Sequence, residues 1–310
     1  ILALRDICKY DDGIGITYSA SVSLGASPID VFGTPEQKEK YLRPVAEGKT
    51  LAAFALTEPN AGTDAASQLT VAEKVGDEYI INGSKMFITN AGPADVYVIF
   101  AMTDKSQGTK GISAFIIEKG MPGFTFGPEE HKMGIHTSIT RELIFKDLHV
   151  PAANLLGQEG KGFKIAMHTL DGGRIGVAAQ ATGIAQAALQ HAVEYTKQRE
   201  QFGRAIAKFQ HTQFKLAEMA TKVEAANLML LNAANGKAAG RPYTVSAAMA
   251  KMFCSDVAME VATDAVQLFG GYGYSEDYPV ARLFRNAKIT QIYEGTNEVQ
   301  KMVVSGAVLR

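Results

Sequence analysis

The hydrophobic period of the chain changes twice, and those changes limit the folds open to it. Up to about Thr50 the text is helical, from about Leu51 to Gly157 it breaks into short alternating runs, and after Gly160 it is helical again. Val177, Ala181, Ile184, Ala185, Ala188, Leu189 and Ala192 mark one long helix face. Leu216, Met219, Ala220, Val223 and Leu230 mark a second, and Val245, Ala248, Met249, Met252 and Phe253 a third. Long helices rich in small residues, with short breaks between them, predict an antiparallel bundle.

Local signals refine the first two regions. "TPEQKEKYL" predicts a helix start with Thr34 as N-cap, Pro35 at the first position and Gln37 closing a capping box. Asn82-Gly83, inside "EYIINGSKMFIT", predicts a hairpin turn. "DVYVIFAM", "GISAFIIE" and "RELIFKDLHV" follow as strands of an antiparallel barrel or sandwich. The expected class is α+β, mostly α: the remainder of a helical domain over 1–50, a β domain over 51–157 and a helical bundle over 158–310. The chain opens at Ile1 within "ILALRDICKY", so an N-terminal piece is expected to precede it, with any targeting signal.

Composition removes several function classes. A net charge of -1 and a pI of about 6.7 leave no electrostatic footprint for nucleic acid or an anionic membrane. No apolar run approaches the roughly 20 residues of a membrane span. Cys8 and Cys254 stand far apart, which suits a reducing compartment and argues against structural zinc. There is no G-x-G-x-x-G unit, no H-E-x-x-H pair and no G-x-S-x-G elbow, and "GQEGKGFK" lacks the Lys-Ser/Thr ending of a P-loop. A Rossmann nicotinamide site, metal-assisted hydrolysis and serine or cysteine nucleophiles drop out.

One carboxylate stands out against this background. In "QIYEGTNEVQ", Ile289, Ile292 and Tyr293 lead to Glu294, and Gly295 follows at once. Asn297 and Gln300 read as an N-cap and capping box opening a last helix, which leaves Glu294 in a hinge between helices. A partly desolvated carboxylate there suits a proton-abstracting base of raised pKa. The alternative is a structural ion pair with Arg285 or Lys288. Two further stretches offer ligand-binding backbone. "ALTEPNAGTDAAS" places Thr57, Asn60, Gly62, Thr63 and Asp64 in a tight turn whose hydroxyls and N–H groups suit a polar ring edge or a phosphate. "QLFGGYGYSEDYPVARLFRN" sets glycines between helices, where a cofactor can approach the main chain.

Together with "KMFITN", "TLDGGRIGVAAQ" and "KQREQFG", in that order along the chain, these stretches resemble the acyl-coenzyme A dehydrogenase family. The resemblance covers essentially the whole chain. "KMGIHTS" and "GFKIAMHTLDGGRIGVAAQ" are most similar to its short-chain, butyryl-coenzyme A type. It implies a helical domain, a β domain and a C-terminal four-helix bundle, with FAD bound between the latter two and a homotetramer built as a dimer of dimers. By the resemblance, FAD is held by Phe54, Leu56, Thr57, Thr63, Phe87, Ile88, Thr89, Thr296, Asn297 and Glu298, with Thr57 bonded to the flavin ring. Arg199, Phe202, Gln210, Gln267, Leu268, Phe269, Gly270 and Gly271 join the cofactor set, several of them reaching a neighbouring subunit's FAD. Thr63, Asp171, Arg174, Tyr293 and Gly295 are implied as acyl-coenzyme A contacts.

Glu294 matches the family's base. The resemblance implies α,β-dehydrogenation of short acyl thioesters to trans-2-enoyl thioesters, with hydride transfer to the flavin and electrons passed to an electron-transferring flavoprotein. The Glu294 N–H and a flavin ribityl hydroxyl would stabilise the enolate-like carbonyl. A few relatives carry the base in "LDGGR", at the position of Gly173 here. Phe87 stands where many relatives have Trp, and Thr63 replaces a common Ser. Other readings are an oxygen-using oxidase or an enoyl-reducing enzyme of the same fold, or a non-catalytic helical scaffold. The expected location is bacterial cytoplasm, or the mitochondrial matrix in a eukaryote, with no nucleic-acid partner.

Overall fold

The computed structural model describes every residue from Ile1 to Arg310. They form two compact units. One comprises 1–16, 132–137 and 174–310; the other comprises 17–131 and 138–173.

In the second unit, the end of α2 (Asp12–Ser19) and helices α3 (Ser27–Phe32), α4 (Pro35–Gln37) and α5 (Arg43–Ala46) precede the strands. The capping box forms as expected: Thr34 Oγ1 accepts from Gln37 N at 3.2 Å, and Gln37 Oε1 accepts from Thr34 N at 3.1 Å. The Gln37 amide also donates to the carbonyls of Ala153 and Leu155, stitching this helix start to the far end of the β region. The strands are β1 (Ala52–Ala55), β2 (Val71–Val75), β3 (Glu78–Thr89), β4 (Val96–Met102), β5 (Ile112–Glu118), β6 (Phe124–Glu129), β7 (Thr140–Pro151) and β8 (Leu155–Leu156). They make one eight-stranded sheet in the order β6-β7-β3-β2-β4-β5-β8, with β1 beside β4. The expected antiparallel pattern is modified, because β1 runs parallel to β4 and β2 meets β4 in parallel at Val71–Met102.

β4 is buried along its whole length, and side-chain alternation divides it between two cores. Tyr97, Ile99 and Ala101 join Phe115, Ile117, Leu143 and Phe145 in one. Val96, Val98, Phe100 and Met102 join Ile112, Ile116, Ile29, Tyr41 and Ile165 in the other. A continuous apolar strand is what two-sided burial requires.

The hairpin expected at Asn82-Gly83 is not there. β3 runs straight through it, and the turn joining β2 to β3 is Gly76-Asp77, with Gly76 left-handed at φ 59°. Asn82 instead marks a β-bulge: the register passes from Ile81–Leu148 to Gly83–Phe145, so one residue of β3 faces Lys146 and Asp147 of β7. Asn82 closes it, accepting from Asp147 N at 2.8 Å and donating to Asp147 Oδ1 at 3.2 Å.

The first unit is helical: α1 (Leu2–Tyr10), the Arg174-onward part of α6 (Gly162–Gln198), α7 (Gln210–Ala238), α8 (Thr244–Phe269), α9 (Pro279–Thr290) and α10 (Asn297–Val308). α8 packs against α7, α9 and α10. The expected α6 face is buried, Leu189 partly so, and Met219, Val223 and Leu230 of α7 reach the core. Ala220 is exposed, and the α8 face is corrected apart from Ala248, which is buried as expected. Ala247, Ala250, Cys254, Val257, Ala258, Val261, Ala262 and Ala265 fill the core, while Val245, Met249, Met252 and Phe253 are only half-buried. Small side chains permit close helix approach, so the larger ones sit at its margin. α1 comes equally near: a Cβ on Gly183 would lie 2.4 Å from the Arg5 carbonyl.

The two glycines of the β2–β3 region both have positive φ, 144° at Gly83 and 59° at Gly76, and differ in crowding. At Gly83 an added Cβ would sit 2.5 Å from Thr70 Oγ1 and 2.7 Å from its Cα; at Gly76 it meets nothing within 4 Å. Gly83→Ala is expected to lower stability by roughly 2–4 kcal/mol, and Gly76→Ala by about 1 kcal/mol from its left-handed backbone alone. Chemical denaturation of both variants measures the difference.

Candidate functional site

In the helical unit the site is built on the turn between α9 and α10. α9 begins with Pro279 and ends at Thr290, and the next helix is capped by Thr296, whose Oγ1 accepts from Val299 N. The N-cap is therefore Thr296 rather than Asn297, which lies one residue inside the helix. At the apex, Glu294 has φ 56° and Gly295 φ 85°. A left-handed glutamate is strained and persists only where its surroundings hold it. Gln300 does so, its amide donating to the carbonyls of Glu294 and Gly295 at 3.2 and 2.8 Å. A Cβ on Gly295 would lie 2.8 Å from that amide, so the glycine is needed for the bond.

Glu294 as a whole is half-buried, but its Oε2 is sealed from solvent and accepts no hydrogen bond. Desolvation pushes its pKa up to about 7, against the opposing charges of Arg174 and Lys251. The structural alternative fails: Arg285 pairs with Glu276 at 3.1 Å, and Lys288 donates to Gln291 Oε1 at 2.9 Å. Arg174 is buried on α6, one residue after Gly173, and Tyr293 donates to Gln180 Oε1. Two buried groups here were not anticipated. Asp12 accepts from Asn286 at 2.7 Å, and burial raises its pKa to about 6. Lys251, fully buried, donates to Asn297 Oδ1 at 2.8 Å.

The same unit holds a cleft of about 460 Å³ lined by Arg199, Gln267, Leu268, Phe269, Gly270 and Gly271, together with Tyr195 and Tyr272. Tyr195 stacks on Phe269 at 4.0 Å, and the Arg199 guanidinium lies 5.4 Å from the Tyr272 ring. Phe202, at the tip of a hairpin and 94% exposed, and Gln210, at the start of α7, are outside the lining. Thr296 is half-buried, Asn297 buried and Glu298 exposed.

In the β unit, Phe54 on β1 packs against Phe100 with centroids 5.0 Å apart, Leu56 is buried, and the Thr57 carbonyl accepts from Met86 N at 2.8 Å. Phe87 is 62% exposed with φ 59°, flanked by buried Ile88 and half-buried Thr89. Thr63 is exposed and Asp171, near the start of α6, half-buried. Behind this surface lies a buried ion pair. Lys85 donates to Glu58 Oε1 at 2.8 Å, to Gln68 Oε1 at 3.1 Å and to the Leu56 carbonyl at 3.1 Å. Glu58 also accepts from Leu69 N and Thr70 N. Desolvation raises the Glu58 pKa, but the Lys85 charge and these hydrogen bonds outweigh it and hold the carboxyl below its ordinary range. Burial brings Lys85 down to about 8 despite the carboxylate.

Lys85→Met strands the Glu58 carboxylate and is expected to cost about 3–5 kcal/mol, while Lys85→Met with Glu58→Gln recovers much of that loss in a double-mutant cycle. Glu294→Gln should act oppositely. Its carboxyl has a folded pKa above its ordinary 4.5, so the folded state bears an ionisation penalty that builds up between pH 4.5 and about 7 and is complete above that. Thermal denaturation of Glu294→Gln is expected to show a gain of roughly 1–3 kcal/mol at pH 8 that shrinks towards pH 5.

Comparison with known proteins matches this arrangement to one family. Models of the acyl-CoA dehydrogenase N-terminal, middle and C-terminal domains match residues 1–49, 53–148 and 160–309. The short-chain-specific acyl-CoA dehydrogenase of Megasphaera elsdenii is 65% identical over 100% of this chain and 81% of its own length. The solved structure of butyryl-CoA dehydrogenase from Megasphaera elsdenii superposes with a TM-score of 0.98 at 65% identity, over 99% of this chain and 81% of that one. A chain from a structure described as the electron transferring flavoprotein of Acidaminococcus fermentans gives 0.99 at 67% identity, with the same coverage. The chain belongs to the acyl-CoA dehydrogenase family.

Proposed function

We propose that this chain is a flavin-dependent dehydrogenase of short-chain acyl-CoA thioesters, producing trans-2-enoyl-CoA, with Glu294 as the catalytic base. The observation that carries the reading is the Glu294 carboxylate itself: its Oε2 sealed, its backbone strained, and its pKa raised by desolvation to about 7. The identity to the short-chain-specific enzyme supports the substrate class.

Family membership implies a flavin, and the residues present fit FAD. Gly270 and Gly271 leave open space where a Cβ would stand, in a cleft that also presents Arg199, whose fixed guanidinium fork suits a pyrophosphate. In the β unit the exposed Phe87 ring offers a stacking face beside Thr89, with Thr57, Phe54, Leu56 and Ile88 around the same strands. Thr63, Phe202, Thr296, Asn297 and Glu298 complete the proposed set, with Arg199, Gln210 and Gln267 to Gly271 reaching the FAD of a neighbouring subunit in a homotetramer. The bound flavin supplies the two-electron acceptor for the hydrogen that leaves the β-carbon as hydride.

The chain's own groups perform the rest. Glu294 takes the α-proton, its Oε2 lone pairs being committed to no other donor. A base with a pKa near the working pH combines an ionised ground state with useful proton affinity. Charge then accumulates on the thioester carbonyl, where the Glu294 N–H, which no backbone carbonyl of the chain takes up, is the proposed donor. Gly295 leaves room beside the thioester, Tyr293 lines it, and Asp171, Arg174 and Thr63 are assigned to the coenzyme A portion. An electron-transferring flavoprotein is the proposed electron acceptor. The domain division 1–50, 51–157 and 158–310 and a bacterial cytoplasmic location belong to the same reading.

Anaerobic titration with butyryl-CoA should bleach the visible flavin band of the FAD-loaded protein. Glu294→Gln should slow that bleaching by 10²–10⁴-fold or more while retaining flavin. A protein that takes up no FAD, or a Glu294→Gln variant that bleaches at the original rate, would overturn the assignment.

A further inference from the structure

The bundle core contains an ammonium group for which the reaction has no direct use. Lys251 lies on α8 with no solvent exposure, and its Nζ donates to Asn297 Oδ1 at 2.8 Å. The same Asn297 amide donates to Ser255 Oγ at 2.9 Å and to Asp256 Oδ1 at 2.8 Å. Asp256 Oδ1 also accepts from Gln291 Nε2 at 2.6 Å, and Gln291 O accepts from Asn297 N at 3.0 Å. One face of α8 therefore grips both ends of the turn from Gln291 to Asn297, and Glu294 is its apex. A buried ammonium costs several kcal/mol unless opposed by negative charge, and a Met of similar volume would pack here at less cost.

We propose that Lys251 is a positioning residue for Glu294: through Asn297 it fixes the turn that carries the base, and its charge holds that carboxylate ionised at the pH where the base works. The proposal rests on Glu294 being the base. The charged groups facing Glu294 are Arg174 from α6 and Lys251 from α8. Lys251 in turn faces Glu294 from the turn, Asp256 on its own helix, Glu298 on α10 and Arg174 as the like charge. Asp12 and Cys8 bear on Tyr293. Desolvation favours the neutral acid, whereas both cations favour the carboxylate. Removing one cation must raise the pH at which the base becomes protonated, so activity is lost earlier on acidification and persists on the alkaline side.

The test is the pH dependence of flavin reduction by butyryl-CoA in the FAD-loaded full chain, for Lys251→Met, Lys251→Gln and Glu294→Gln. Thermal melting and flavin content report folding independently of turnover. Both Lys251 variants should move the acidic limb up by about one pH unit, a roughly tenfold slower reduction below it, and Lys251→Gln should converge towards the parent at high pH. Gln retains a donor for Asn297, so only Met should also lower the alkaline plateau. A folded, flavin-loaded Lys251 variant whose acidic limb coincides with the parent's overturns the proposal, even if its melting temperature falls. If Met does not fold, the Gln variant decides in the same way. Full activity in Glu294→Gln would instead remove the underlying assignment of the base.

Discussion

One carboxylate oxygen, Glu294 Oε2, kept away from water without a hydrogen bond is the constraint around which the helical unit is arranged. Burial alone would leave Glu294 protonated, and an ordinary surface ion pair would leave it too weak a base. Two buried cations on different helices, Arg174 and Lys251, oppose the desolvation. That balance is sensitive to distance, because Coulomb energies in a poorly hydrated interior change steeply with separation. The turn must consequently be rigid, and its rigidity comes from polar contacts: Gln300 on its carbonyls, Asn297 and Gln291 tied to α8.

The strain in that turn has a functional sense. Left-handed backbone at Glu294 and Gly295 turns the chain sharply between two helices, so the carboxylate projects from a hinge rather than from a helix face. Cofactor and substrate groups can then meet main-chain N–H as well as side chain. A helical glutamate would offer only its carboxylate, since helix N–H groups beyond the first turn are already bonded.

Much of this was legible in the amino-acid sequence, for identifiable reasons. Long helical periods, the Thr34 capping box and the strand runs rest on local patterns, and each appears in the structure. Glu294 stood out because an apolar approach and a following glycine are local too. Asn82-Gly83 misled because the dipeptide signal carries no knowledge of β7; it is Asp147, brought opposite by sheet register, that makes it a bulge. Gly76-Asp77, the true turn, is a weaker form of the same signal. The α8 face departs from expectation because large apolar residues carry the stronger local signal, whereas this bundle is packed closely enough for alanine to form the seam. Lys85 and Lys251 were not legible at all. A lysine reads as solvated surface until its partner is known, and the partners are 27 and 46 residues away.

Those two lysines share a logic. Each is fully buried, each meets polar groups of a neighbouring segment, and each lies near a non-glycine residue of positive φ that the proposed function assigns to the site: Phe87 two residues from Lys85 on β3, Glu294 in the turn that Asn297 closes. Apolar packing tolerates small shifts with gradual loss, so it is poorly suited to hold one strained backbone conformation against relaxed neighbours. A buried ammonium has few ways to satisfy its donors, and any displacement leaves charge unpaired in a low-dielectric interior, at a steep energetic cost. Placing such a group under each strained residue converts the cost of burying charge into stiffness at the point where the chain departs from regular geometry.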